Sequence, residues 1–304
     1  MKQILIKRDL SFSKKVELSV DFELIKSIYY KYLPDYLIKY FLSIGLAVIP
    51  VQEMAHAHDI VSDTMIQSYR DTLSTTQPAR DTLWLCRGDR TKTMSGFAYY
   101  DAATGLANIS KKPVVSGRIN WPSTFSLIDK GEYYDIFGNG LPKTPTGEFP
   151  NSYNPNSVEK IDYAYRIHLR TGPEQKYCLP MGPIGVAMNG AMIFNALTAR
   201  HDDAQITEIL DLCGGHPDPR GGYHHHGWST CWDDIGETEP VGLAFDGFLI
   251  FGRKENGILV RNADLDECHG HSHIIKNRLL YHYHINHEFP YSLGCYQAAS
   301  QIRP

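Results

Sequence analysis

What this sequence lacks narrows it first. No apolar run reaches the roughly 20 residues that a membrane-spanning helix needs. The run Tyr40–Val51 stops well short, and no stable span is expected in the mature chain. Charge of one sign is not in excess: the net value is −4. That gives no reason to expect nucleic acid or an anionic membrane as partner. No two cysteines stand as C-x-x-C, which weakens zinc-ribbon and thioredoxin-like readings. No serine or cysteine nucleophile motif accompanies the histidines, so a metal-independent hydrolase with a histidine base ranks last.

What is present is an unusual load of histidine and tyrosine, 14 and 19 in 304 residues. Most of the histidines fall after position 200. In Tyr281-His282-Tyr283-His284 an extended strand would put both tyrosines on one face and both histidines on the other. Two imidazoles at i and i+2 can lean onto one ion or one substrate, while the tyrosines anchor the opposite side.

The pattern occurs twice. The run Pro183–Phe194 is answered by Pro240–Phe251 at an offset of 57, each an apolar hairpin around Asn189-Gly190 or Asp246-Gly247. Such dipeptides predict type I′ turns. Cys213-Gly214-Gly215-His216 is answered by Cys268-His269-Gly270-His271, and Tyr223-His224-His225-His226 by Tyr281–His284. Cys231 and Cys295 close the copies. These matches predict an internal repeat, about 183–231 and 240–295. The expected fold is mainly β: a single disulfide-stapled domain with irregular loops, built from an internal duplication with pseudo-twofold halves.

The first 57 residues read differently. Lys39, the apolar run and Ala55-His56-Ala57 follow the order of a secretory signal. The mature chain is then expected to begin at or near His58. The residues before Lys39 suggest a long leader or an over-extended gene start; a buried helix of a cytosolic domain is the bland alternative. Residues 58–138 form an N-terminal segment and 139–304 the repeat-bearing domain. Asp59 to Leu73 suggests a short helix, Thr82–Leu85 and Phe97–Tyr100 strands, Gly138–Asn156 a connector or surface loop. Lys160–Arg170 alternates as a half-buried strand does. Arg87-Gly88-Asp89 spells an adhesion tripeptide, which common residues often produce by chance.

All six cysteines follow the cleavage site. An even number in an exported chain implies three disulfides, among about 15 connectivities. Bracketing of the histidine segments favours Cys213 with Cys231 and Cys268 with Cys295, which leaves Cys86 with Cys178.

If the halves pack about a local twofold, six imidazoles approach one another: His216, His224, His226, His271, His282 and His284. All-imidazole sets suit copper or zinc above magnesium or calcium, and disulfide-locked cysteines cannot compete. The expectation is an exported, periplasmic or secreted protein whose partner is a metal ion, with redox or hydrolytic activity open. The alternative is a disulfide-stabilised recognition module without metal. Asp264-Leu265-Asp266-Glu267 is read as a solvated turn, or else as carboxylates that orient imidazoles or complete a calcium site.

The stretch from about Gly140 to Tyr296 resembles the YHYH-domain family. The motifs that carry this are Gly182–Ala187, Cys213-Gly214-Gly215-His216-Pro217, Asp264–Cys268, Tyr281–His284 and Phe289-Pro290-Tyr291. The resemblance implies export and supplies no reaction. His225 departs from a usual tyrosine and His269 from a usual asparagine; both add imidazoles.

Overall fold

The computed structural model describes residues 83–86, 100–101, 106–107 and 112–302. The signal-like segment, His58, the helix expected from Asp59 and the Arg87-Gly88-Asp89 tripeptide lie outside the described residues.

The architecture is mainly β, as expected. Strands β1 (Tyr100–Asp101) and β2 (Leu106–Ala107) form a small antiparallel pair. Strands β3 (Ser126–Asp129), β4 (Tyr133–Gly138) and β5 (Tyr163–His168) make a three-stranded antiparallel sheet. This sheet joins residues on both sides of position 138. β5 follows the alternation read from the sequence, with Ile167 fully buried. Leu85 forms only an isolated bridge, to Leu179.

The principal sheet has eight strands. They are β6 (Pro183–Ala187), β7 (Met192–Phe194), β8 (Gly215–Pro217), β9 (Tyr223–His225), β10 (Gly242–Ala244), β11 (Leu249–Phe251), β14 (Gly270–Ile275) and β15 (Arg278–His284). A two-stranded ribbon, β12 (Lys254–Glu255) and β13 (Ile258–Leu259), stands beside it. The one four-residue helix among the described residues, α1 (Ala204–Thr207), is capped by the Asp203 carboxylate.

The strand order is β14-β15-β11-β10-β6-β7-β9-β8, and it reads alike from both ends. Antiparallel β6 and β10 form the middle. Outward from each comes its hairpin partner, then a strand parallel to that partner, then an antiparallel edge strand.

The turn type differs from the expectation. Gly190 and Gly247 have φ of +93° and +102°, whereas neither Asn189 nor Asp246 has positive φ. Gly190 N–H donates to the Ala187 carbonyl and Gly247 N–H to the Ala244 carbonyl. This is a type I turn completed by a left-handed glycine bulge, which needs positive φ at one residue instead of two. Asn189 and Asp246 remain free to turn their side chains inward.

The core lies against the sheet and includes Ile184, Val186, Ile193, Leu243, Phe248, Ile250, Tyr283 and Tyr296. Phe248 packs edge-on against both Tyr281 and Tyr283. Burying each such side chain contributes about 1.5–3 kcal/mol. Cys86 pairs with Cys178, Cys213 with Cys231 and Cys268 with Cys295, the scheme that bracketing favours.

Candidate metal centre

Period-2 geometry does what the sequence pattern requires. On β15, Tyr281 and Tyr283 enter the core, while His282 and His284 share the opposite face with Nε2 atoms 3.0 Å apart. His271 stands directly across from His282 on β14, its Nε2 3.2 Å from that of His284. Glu255, from β12, brings Oε1 to 3.6 Å from His271 Nε2 and 4.0 Å from His282 Nε2.

The other half repeats this arrangement. His224 and His226 face each other through Nε2 at 3.1 Å, and His216 lies across from His224 in register. His216 Nε2 is buried without a hydrogen-bond partner. Within each group the donor atoms lie no more than 4.8 Å apart. Two nitrogens on a tetrahedral ion at 2.0–2.1 Å would stand about 3.3 Å apart.

The second ring nitrogens decide what the first can do. His282 Nδ1 lies 3.1 Å from the Leu280 carbonyl and His284 Nδ1 2.7 Å from that of Gly252. His224 Nδ1 meets the Gly222 carbonyl at 2.9 Å, and His226 Nδ1 meets that of Asn195 at 2.6 Å. A carbonyl only accepts, so each Nδ1 carries the proton and donates. In a neutral ring Nε2 is then a bare lone pair. Burial above all holds these rings neutral, bringing His224 and His282 down to about 4 and His226 and His284 to about 3. Each half thus aims two lone pairs at one another across about 3 Å. Lone pairs so placed repel unless a cation lies between them.

The opposite face is braced by carboxylates. Tyr281 donates to Asp266 at 2.9 Å and Tyr223 to Asp211 at 2.8 Å. A Cβ on Gly270 or Gly215 would fall 2.3 Å from the covering tyrosine. Only glycine lets that ring lie so close. Asp266 also accepts from the Cys268 and Gly270 N–H groups, so it ties the turn to β15 and orients no imidazole. The turn read from the sequence is what Asp266 builds, and its reading as a carboxylate that orients a ligand imidazole is corrected.

One further expectation is corrected. The six imidazoles do not converge. The β6–β10 pair occupies the middle of the sheet, so the His-x-His strands lie five steps apart, about 24 Å at about 4.8 Å per strand. The two added imidazoles, His225 and His269, stand outside both triads. His225 is fully buried among Tyr223, Trp232 and Asn189. His269 is held by the His284 carbonyl at Nδ1 and by the Asn262 side chain at Nε2. The supposed connector around 138–156 is also partly interior: Asn154 is buried, with Nδ2 3.4 Å from His216 Nδ1.

Sequence reasoning missed Glu255 and the bracing aspartates. No motif marks Glu255. Asp211 and Asp266 each stand five residues before a triad histidine, a match that was open to inspection.

Fold and site define a class: a β-rich, disulfide-bonded domain with two groups of imidazoles able to hold metal ions. The family model described as YHYH protein matches residues 167–257, which supports the resemblance read from the motifs. The matched span contains the first triad and Glu255 and ends before His271. No curated protein and no solved structure matches the chain.

Proposed function

We propose that this is an exported metal-binding protein that holds copper or zinc in two separate sites. His216, His224 and His226 form one; His271, His282, His284 and Glu255 form the other. The observation that carries the reading is the pair of bare Nε2 lone pairs facing each other in both halves. Backbone carbonyls fix the tautomer and raise the basicity of the ligand, as outer partners of metal-bound histidine do. Imidazole and carboxylate donors suit zinc and copper alike. At the first site three protein nitrogens leave a tetrahedral ion one further position, the arrangement associated with reactive ions, whereas at the second Glu255 offers the fourth donor.

Three disulfides support export, since such bridges persist in oxidising compartments. Among the described residues no helix is long and apolar enough to cross a membrane. The palindromic strand order supports an origin by internal duplication, with copies at about 183–231 and 240–295.

X-ray absorption at the zinc or copper edge of loaded protein tests the ligand set. The expected first shell is nitrogen and oxygen, with zinc–nitrogen distances of about 2.0–2.1 Å and the outer scattering of imidazole. A sulfur shell would overturn it.

One observation favours a recognition role beside this. A cleft of about 480 Å³ opens among Tyr163, Tyr165, Met181, Met192, Phe194 and Phe245. Its aromatic and thioether lining suits an apolar ligand.

A further inference from the structure

The two triads differ in what surrounds them. The side chains of His271 and Glu255 are 22% and 23% exposed, and that of His273, two residues along the same strand face, is 37% exposed. Glu255 Oε1 lies 2.5 Å from His273 Nδ1 and 3.6 Å from His271 Nε2. One carboxylate therefore reaches both a surface imidazole and a triad imidazole. In the first triad the His216 side chain is only 8% exposed; the His-x-His pair is buried in both triads, so the difference lies at His216 and His271.

The matching positions show why. At the offset that relates His216 to His271, His273 corresponds to Asp218. Asp218 accepts from the Arg220 and Gly222 N–H groups and so closes its own loop. At the offset of the hairpins, Glu255 corresponds to Thr198. Thr198 is buried, and its hydroxyl accepts from the Arg200 and Asp202 N–H groups. The Glu208 carboxylate lies 3.9 Å from His216 Nδ1, a nitrogen that Asn154 Nδ2 also approaches at 3.4 Å, whereas His216 Nε2 is buried without a hydrogen-bond partner. The first half has no equivalent of the Glu255 and His273 pair.

We propose that the triads are unequal in exchange: His271, His282 and His284 form a port that trades its ion with solvent through Glu255 and His273, and His216, His224 and His226 form a closed site that retains its ion. This rests on the metal-binding reading above. Carboxylate and imidazole supply stepwise replacement ligands, so an ion at the port never passes through a fully stripped state. An ion in the closed site leaves only when the surrounding loops open, which costs free energy and slows release.

The test is release of zinc to excess chelator from the loaded, desalted full chain at pH 7. The expected course has two phases of equal amplitude whose rates differ by at least about tenfold. His271→Gln should remove the fast phase and His216→Gln the slow one. His273→Ala should slow the fast phase by about tenfold without changing its amplitude, and Glu255→Gln should slow it too. Release from wild type in one phase overturns the proposal without any variant having to fold. A fast phase that survives His271→Gln, or a rate indifferent to His273→Ala, also overturns it. Retention of no zinc at all sinks the metal-binding reading itself, which is a different result from one uniform phase.

Discussion

The Tyr283 hydroxyl donates to the fully buried carboxylate of Asp246 at 2.6 Å. Fifty-seven or 58 residues earlier the same place is taken by Asn189 Nδ2 and His225 Nε2, 3.1 Å apart. An amide donates to an imidazole where a phenol donates to a carboxylate. The two halves thus keep one internal bond with different chemistry, which explains why His225 is not a ligand.

That exchange makes a double-mutant test. Asn189→Asp alone should leave a buried carboxylate facing a bare imidazole nitrogen, and His225→Tyr alone a phenol facing the wrong amide. Each is expected to cost about 1–3 kcal/mol in urea unfolding. The double variant, which copies the Asp246 and Tyr283 pair, should recover most of the loss, a coupling of at least about 1 kcal/mol. Strict additivity would show that the two pairs are not equivalent.

The stability of metal-free protein should fall in acid. His224, His225, His269 and His282 are lowered to about 4, and His226, His284 and His287 to about 3, chiefly by burial. The unfolded chain takes up these protons near pH 6.5 and the native state resists. Asp203 and Asp211, raised to about 6, and Asp246, raised to about 7, act in the opposite sense. They stabilise while protonated in the native state and lose that contribution as pH rises through about 6–7. The histidines outnumber them. Unfolding free energy in the presence of chelator should therefore drop between pH 6.5 and 4, by about 1.4 kcal/mol per pH unit for each net proton. A flat profile over that range would contradict the neutral buried rings.

Because about 24 Å separates the His-x-His strands, the two sites should lose metal independently. His282→Ala should remove one ion and leave the other, and so should His224→Ala. The double variant should bind neither. Loss of both ions from a single substitution in folded protein would point to a shared site.

The bridge between Cys213 and Cys231 spans 18 residues and encloses most of the first histidine segment. Replacing both cysteines with serine is expected to cost about 2–5 kcal/mol. It should weaken the first triad and spare the second. Equal damage to both would show that the halves fold as one cooperative unit.

Much of this site was legible because a strand has period 2. Alternation in Tyr-His-x-His separates the histidine face from the tyrosine anchors, and repetition at fixed offsets marks His216 and His271 as the histidines that join them. The matched offsets could not say which strands meet at the middle of the sheet. Hairpins pair with hairpins, at β6 and β10, so the histidines end at opposite sides of the sheet. Glu255 was invisible for another reason. It comes from a short ribbon outside the repeated motifs, and its approach to His271 depends on how that ribbon folds over the sheet.

The most direct measurement is elemental analysis of the folded, desalted chain after incubation with zinc, and separately with copper, at pH 7. Two ions per chain are expected for at least one metal, falling to none when His224→Ala and His282→Ala are combined. Wild-type protein that remains metal-free after both incubations would contradict the metal-binding reading and favour a recognition module.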